Sequence, residues 1–294
     1  MKIINLRGRL ALQVSTDDQP LAIDVAKASA GRFGPDPQSV YAVWDEFVAW
    51  AAAALALTDP ALGERFDAAE LGAPVPCPAQ VFAIGLNYRE HALEAGLGIP
   101  ERPMVFTKFP AAVTGPAGTV ELPPGDNDWE IELVAVIGRR ADHVPAERAW
   151  SHVAGLTAGQ DLSERKTQVA GPAPAQYSLA KSFRGFAPIG PALVTPDEFP
   201  GPGDLAVRCT VNGETVQEGR TGDMIFGIPE LVAHLSAVLT LLPGDLIFTG
   251  TPPGIGAART PPRFLRAGDV LVSSIEGIGQ MRHDFANRGD RTPS

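Results

Sequence analysis

Two glutamates open an otherwise apolar run, Asp128-Trp129-Glu130-Ile131-Glu132-Leu133-Val134-Ala135-Val136-Ile137, and this run constrains the fold more than any other segment. Strand alternation places Glu130, Glu132, Val134 and Val136 on one face, and Trp129, Ile131, Leu133 and Ala135 on the other. Both faces are apolar over most of their length, the pattern of a strand buried on both sides. Such a strand carries two carboxylates into a poorly hydrated interior, where each raises the other's pKa and an unpaired charge is costly. A bound cation removes both problems. The competing reading is an exposed strand start whose glutamates meet solvent or lysines; the apolar run 133–137 weakens it. Ligation by carboxylates alone, without His or Cys, selects a hard ion, Mg²⁺ or Mn²⁺, with Ca²⁺ a further option.

Periodicity does not name a third ligand. Asp161 follows the apolar stretch 153–158. It fits the end of a core strand or turn and, equally well, the N-cap of a helix.

Further short strands are expected at 80–84, 104–108, 119–122, 192–195, 207–211, 246–249 and 270–275, punctuated by Gly, Pro or Asp. Helices are fewer, at 146–153 and 228–239. The chain therefore reads as α+β and sheet-rich, not as alternating βαβ units. Residues 3–25 suggest antiparallel hairpins. A helix follows, capped by Ser39, with Val40, Val43, Trp44, Phe47, Val48 and Ala51 at helical spacing up to a stop at Thr58-Asp59-Pro60. Pro74, Pro76 and Pro78 mark a boundary between a small N-terminal domain, 1–75, and a catalytic domain, 76–285, followed by a flexible tail, 286–294.

A net charge of −10 with no basic patch argues against nucleic acid as a partner. The most apolar stretch, 48–57, is half the length of a membrane span, and the N-terminus has no signal-peptide core. A cytoplasmic protein is expected. Cys77 and Cys209 stand in no metal or redox spacing and read as buried structural thiols.

The segment 85–96 reads as a strand end, a tight turn and a short helix capped by Asn87 and closed by Gly96. His91 and Glu94 are then neighbours at i and i+3. A carboxylate beside an imidazole fixes its tautomer and raises its basicity, as a general base requires. Taken alone, His-x-x-Glu is more often a solvated helix pair.

Residues 85–94, 128–138, 178–191 and 224–256, in this order and spacing, resemble the fumarylacetoacetate hydrolase family, and the likeness covers roughly 76–285. The resemblance implies a mixed β-roll or sandwich beside a small N-terminal α+β domain. It implies Glu130, Glu132 and Asp161 as metal ligands and His91 and Glu94 as the catalytic pair. It further implies that Lys181 supports an oxyanion, that Arg165 and Gln168 contact substrate oxygens, and that Gly250 and Thr251 lie in a loop at the substrate's end. The chain departs from the family around 160–166, reading Gln-Asp-Leu-Ser-Glu-Arg-Lys, and at Arg184, where relatives often carry an acid. Residues 95–102 resemble a mobile lid.

The activity implied first is hydrolysis of a carbon–carbon bond in an acylpyruvate or related 1,3-diketo acid through a chelated enolate. His91, oriented by Glu94, would deprotonate the attacking water. Oxaloacetate-type decarboxylation and keto–enol isomerisation of a 2-hydroxyhepta-2,4-diene-1,7-dioate type are the alternatives on the same site. A non-catalytic, metal-stabilised binding module is the reading from another class. Family resemblance also implies a homodimer and a small keto or dioic acid as substrate.

Overall fold

A computed structural model describes residues 1–16, 19–57, 63–171, 175 and 177–289. The helix stop expected at Thr58-Asp59-Pro60 and the tail from 290 onward lie outside the described residues.

Three antiparallel N-terminal strands, β1 (Lys2–Leu6), β2 (Arg9–Thr16) and β3 (Gln19–Asp24), precede a helix, α1 (Trp44–Leu57). Ser39 does not cap that helix. It opens a 3-10 segment, Ser39–Val43, and its hydroxyl donates to the Asp36 carbonyl. The chain continues through β4 (Val81–Gly85), α2 (Arg89–Glu94), β5 (Met104–Thr107), β6 (Ala117–Leu122), β7 (Ile131–Ile137) and β8 (Val153–Gln160). Two short helices, α3 (Arg165–Val169) and α4 (Tyr177–Ala180), lead to β9 (Ala187–Val194), β10 (Ala206–Val211) and β11 (Glu214–Arg220). The helix α5 (Ile228–Ser236) is followed by β12 (Leu246–Phe248), β13 (Val270–Ile275) and β14 (Gly279–Asn287).

The main sheet runs β3-β2-β1-β9-β8-β7-β12-β4-β5, and a second runs β11-β10-β13-β14-β6. Most pairs are antiparallel, whereas β12 with β4 and β14 with β6 are parallel. The strand β1 joins the main sheet through Lys2↔Val194, so this sheet is continuous across the expected boundary near residue 75. The strand β14 reaches Asn287, two residues into the expected tail.

Every residue of β7 is buried, and its alternation sorts them between two cores. Ile131, Leu133, Ala135 and Ile137 pack in one cluster with Val207, Cys209, Leu271 and Met281 of the second sheet. Val134 and Val136 pack in the other with Trp44, Phe47 and Ala51 of α1. The architecture is α+β and sheet-rich: α1 covers one face of the central strands and a second sheet covers the other. This layering takes the start of β7, with Glu130 just before it and Glu132 within it, out of water.

Three expectations change locally. Residues 146–152 form a 3-10 helix, and Val153 begins β8, whose residues are all buried. A Cβ at Gly159 would lie 2.6 Å from Val134 Cγ2, so this strand's small residues let its neighbours approach. Cys209 is buried but Cys77 is exposed, because it lies in the proline-rich connection after residue 73, where its N–H donates to Gln38 Oε1. Asn87 does not cap α2. Its side chain donates to the carbonyls of Phe226 and Thr249 and accepts from Phe226 N–H, stitching the turn to two other segments.

Candidate active site

The ladder between β7 and β8 builds the acidic centre. Ile131 pairs with Gln160, and just beyond this pair Asp161 N–H donates to the Glu130 carbonyl at 2.8 Å. Asp161 is thereby set beside Glu130 across the strands, while Glu132 lies two residues along on the same face. All three are buried, and one carboxylate oxygen of each lies within 4.8 Å of the others. Asp161 caps no helix: Glu164 is the N-cap of α3, accepting from Lys166 and Thr167 N–H.

Two buried lysines face this centre. Lys181 Nζ lies 2.7 Å from Glu130 Oε2 and 2.7 Å from Asp161 Oδ2. Lys108, fully enclosed, donates to Asp161 Oδ1 at 2.5 Å and to the Lys181 carbonyl. Arg165 Nη1 lies 2.7 Å from Glu130 Oε1. Burial alone would raise the Glu130 carboxyl, but Lys181 and Arg165 bring it down to about 2. Burial would lower Lys181, but Asp161 and Glu130 outweigh it and raise the ammonium. For Lys108 burial prevails over Asp161, and its pKa is lowered.

Glu132 differs from its neighbours. Its Oε2 accepts from Gly250 N–H at 2.7 Å, and no lysine or arginine pairs with it among the described residues. Burial first, then Asp161 and Glu130, push it well above the ordinary carboxylate range. A divalent cation would satisfy this group. Three clustered carboxylates without His or Cys fit a hard, oxygen-seeking ion, so the residues present suit a divalent metal.

The expected catalytic pair is formed. On α2, His91 Nδ1 lies 2.7 Å from Glu94 Oε1. The other oxygen of Glu94 accepts from Gly254 N–H at 2.9 Å, which docks α2 against the loop after β12. His91 is buried, so the pair is no solvated surface contact. His91 shares one cleft with Glu130, Glu132, Asp161, Lys181 and Arg165. A larger, open groove of about 810 Å³ lies over the second sheet and contains none of these residues.

The remaining expected residues also reach the cleft or its wall. Gln168 lines it, and its Oε1 accepts from Arg165 Nη1 at 2.9 Å. Thr251 lines it too, but its hydroxyl donates to the Ile131 carbonyl and accepts from Gln217 Nε2. Gly250 offers its amide to Glu132. Its φ is +101° and a Cβ there would lie 2.7 Å from Asn87 Cβ, so a side chain would displace that amide. Ala95 and Leu97, from the segment resembling a lid, border the cleft. Arg184 does not; it is exposed and lines a separate groove with His283 and Arg288. Sequence reading missed Lys108. A lysine within the expected strand 104–108 was its only signal, and that strand ends at Thr107.

A buried carboxylate triad with two ammonium groups and a His–Glu pair defines a metal-capable enzyme site on a sheet-rich α+β scaffold. Residues 80–286 match the family described as Fumarylacetoacetate (FAA) hydrolase C-terminal, and the chain belongs to this family. It is 44% identical over 209 residues to oxaloacetate tautomerase FAHD2A, mitochondrial, of Bos taurus and of Homo sapiens, the match covering 70% of this chain and 66% of each relative. The matched part is thus just under two thirds of those relatives' length. A solved structure from Mycobacterium smegmatis, assigned as an HpcE protein, is 53% identical with a TM-score of 0.90, covering 98% of this chain and 100% of that one. Maleylpyruvate hydrolase from Sphingobium sp. SYK-6, solved with manganese (II) ion and pyruvate, is 28% identical with a TM-score of 0.77, covering 98% and 99%. No helix among the described residues is long and apolar enough to cross a membrane.

Proposed function

We propose that this chain is a divalent-metal-dependent enzyme that interconverts the keto and enol forms of a short, oxaloacetate-like 2-oxo acid. One observation carries the reading: His91, hydrogen-bonded to Glu94, and Lys181 border the same cleft as the three buried carboxylates. Glu130, Glu132 and Asp161 would hold Mg²⁺ or Mn²⁺. When bound, such an ion polarises the 2-oxo group and offsets the substrate's negative charge. Glu94 accepts the Nδ1 proton of His91, which leaves Nε2 free to take a proton from the carbon next to the carbonyl. Lys181 stabilises the oxygen on which the electron pair settles. Return of the proton to that oxygen completes the enol. Arg165 and Gln168 hold the substrate's carboxylate, with Gly250 and Thr251 shaping the end of the cleft.

Sequence resemblance put carbon–carbon hydrolysis first. Relatives at 44% identity named as oxaloacetate tautomerases support tautomerisation as the leading reading. Hydrolysis of an acylpyruvate stays as the second, favoured by a buried His91 paired with Glu94, an arrangement of the kind that activates water, and by a solved relative named maleylpyruvate hydrolase. A homodimer in the cytoplasm belongs to the same proposal.

The two readings separate in one assay. Metal-loaded protein is given enol oxaloacetate and, separately, an acylpyruvate, while enol absorbance, pyruvate and CO₂ are followed. Accelerated loss of the oxaloacetate enol without pyruvate supports tautomerisation. Pyruvate from the acylpyruvate supports hydrolysis, and CO₂ with pyruvate from oxaloacetate indicates decarboxylation. No acceleration of any of these with either ion overturns the enzymatic reading in favour of a binding module.

A further inference from the structure

Asp128 lies two residues before Glu130, fully buried, and among the described residues its one cationic partner is Arg165. Its Oδ2 accepts from Arg165 Nε at 2.8 Å and lies 2.8 Å from Nη2. The same oxygen accepts from Ala257 N–H at 3.0 Å, and Oδ1 accepts from Gly256 N–H at 2.7 Å. One carboxylate thus joins the side-on edge of a guanidinium to the backbone of the loop after β12. The approach needs glycine: a Cβ on Gly256 would lie 2.7 Å from Asp128 Oδ1 and 1.9 Å from the Arg263 carbonyl. Backbone pairing prepares the contact, since Asp128 pairs with Ser163 and Arg165 N–H donates to the Asp126 carbonyl.

Of the three guanidinium nitrogens, Nε donates to Asp128 and Nη2 lies beside the same oxygen as an ion-pair contact without a hydrogen bond, which leaves Nη1 to direct. In this chain Nη1 meets Glu130 and Gln168, both on the cleft wall. Among the described residues no other carboxylate meets the opposite edge, so without Asp128 the guanidinium would be free to rotate about its contact with Glu130.

We propose that Asp128 is a positioning residue for substrate binding: it fixes the plane of Arg165 and registers it with the loop at 254–257, so that Nη1 faces the substrate's carboxylate. This rests on Arg165 contacting substrate, as in the reading above.

The test is a double-mutant cycle read by binding, not turnover. Oxalate, a planar dianion resembling the enolate of a 2-oxo acid, is titrated calorimetrically into Mg²⁺-saturated protein. Asp128→Asn is expected to weaken oxalate roughly 10- to 100-fold, the range for groups that orient a site residue. Arg165→Gln should weaken it at least as much, and the double variant should match Arg165→Gln within about twofold. Losses that add, or an unchanged Asp128→Asn, overturn the proposal. Should Asp128→Asn fail to fold, Arg165→Lys decides, because it keeps the charge but loses the edge that Asp128 holds. It should weaken oxalate as predicted for Asp128→Asn, and unchanged affinity overturns the proposal. Wild-type protein that binds no oxalate at all overturns this inference together with the oxo-acid reading, whereas additive losses overturn this inference alone.

Discussion

Lys181 Nζ is shared between Glu130 and Asp161, 2.7 Å from an oxygen of each, so two of the three clustered carboxylates meet at one ammonium, while Glu132 pairs with none among the described residues. A cation so held is oriented before substrate arrives, the condition under which fixed charge stabilises an oxyanion. Lys181→Met should reduce kcat by roughly 100- to 1000-fold, the range for loss of one oxyanion-stabilising donor, while Mn²⁺ binding persists. Steady-state kinetics beside a Mn²⁺ titration check both halves. Loss of metal binding with unchanged kcat at saturating metal would refute the assignment.

Lys108 is buried, and among the described residues Asp161 is its single carboxylate partner. Removing Lys108 takes one of two ammonium partners from buried Asp161 and leaves Lys181 as the other, so the cost is at most the roughly 3–5 kcal/mol of a fully broken buried pair. Lys108→Met should therefore lower the melting temperature markedly. Added Mn²⁺ should recover part of the loss, because an ion binding the native state alone stabilises it. Differential scanning calorimetry with and without Mn²⁺ reads both effects.

Glu94 bridges His91 and the Gly254 amide. Glu94→Gln can offer an amide donor where His91 Nδ1–H needs an acceptor, which disfavours the tautomer with Nε2 free. A fall in kcat of about 100-fold or more is expected, as for loss of general-base catalysis, with KM little changed. If KM rises and kcat stays level, Glu94 shapes the cleft and does not orient the base.

His283 on β14 is buried, its Nε2 donating to the Gly115 carbonyl at 3.0 Å. Burial lowers its pKa below the ordinary value, so as pH falls the unfolded chain takes up this proton before the folded one. The stability carried by the neutral ring is complete above about pH 6.5, the unfolded value, and is lost as pH falls from there toward the folded value. His283→Gln, which keeps a donor for Gly115, should flatten this dependence. Urea unfolding of both proteins at pH 7.5 and 5.5 measures it, and equal slopes would remove His283 as a cause.

Those parts of the fold whose side chains alternate were legible in the sequence. The strand β7 and its two glutamates follow from period-two patterning alone, and the two cores later divide its residues as that pattern requires. The strand β8 was legible only as an apolar stretch at 153–158 whose end fits a core strand or turn, because Gly155, Ala158 and Gly159 lack the branched or aromatic side chains that mark strands; their smallness serves neighbours in other strands. The strands β11 and β14 were hidden too, β11 because it is mostly polar and β14 because its buried face, Met281, His283 and Phe285, carries only two apolar side chains. At the site, Asp161 needed the family resemblance, because a ladder contact with Glu130 sets it in place and local sequence does not record that contact. Lys108 escaped altogether: its carboxylate partner, Asp161, is 53 positions away. Asn87 illustrates the opposite error, a residue with capping chemistry whose side chain is used for long-range contacts.

The central claim is that Glu130, Glu132 and Asp161 together hold one divalent cation. Calorimetric titration of Mn²⁺ into chelator-treated wild-type protein and into Glu132→Gln tests it most directly. One ion per chain in the wild type, bound at least tenfold more weakly in Glu132→Gln, is the expected result, in line with the 10- to 100-fold losses that follow even from removing groups around a metal's ligands. Equal affinity in the two proteins would contradict the account.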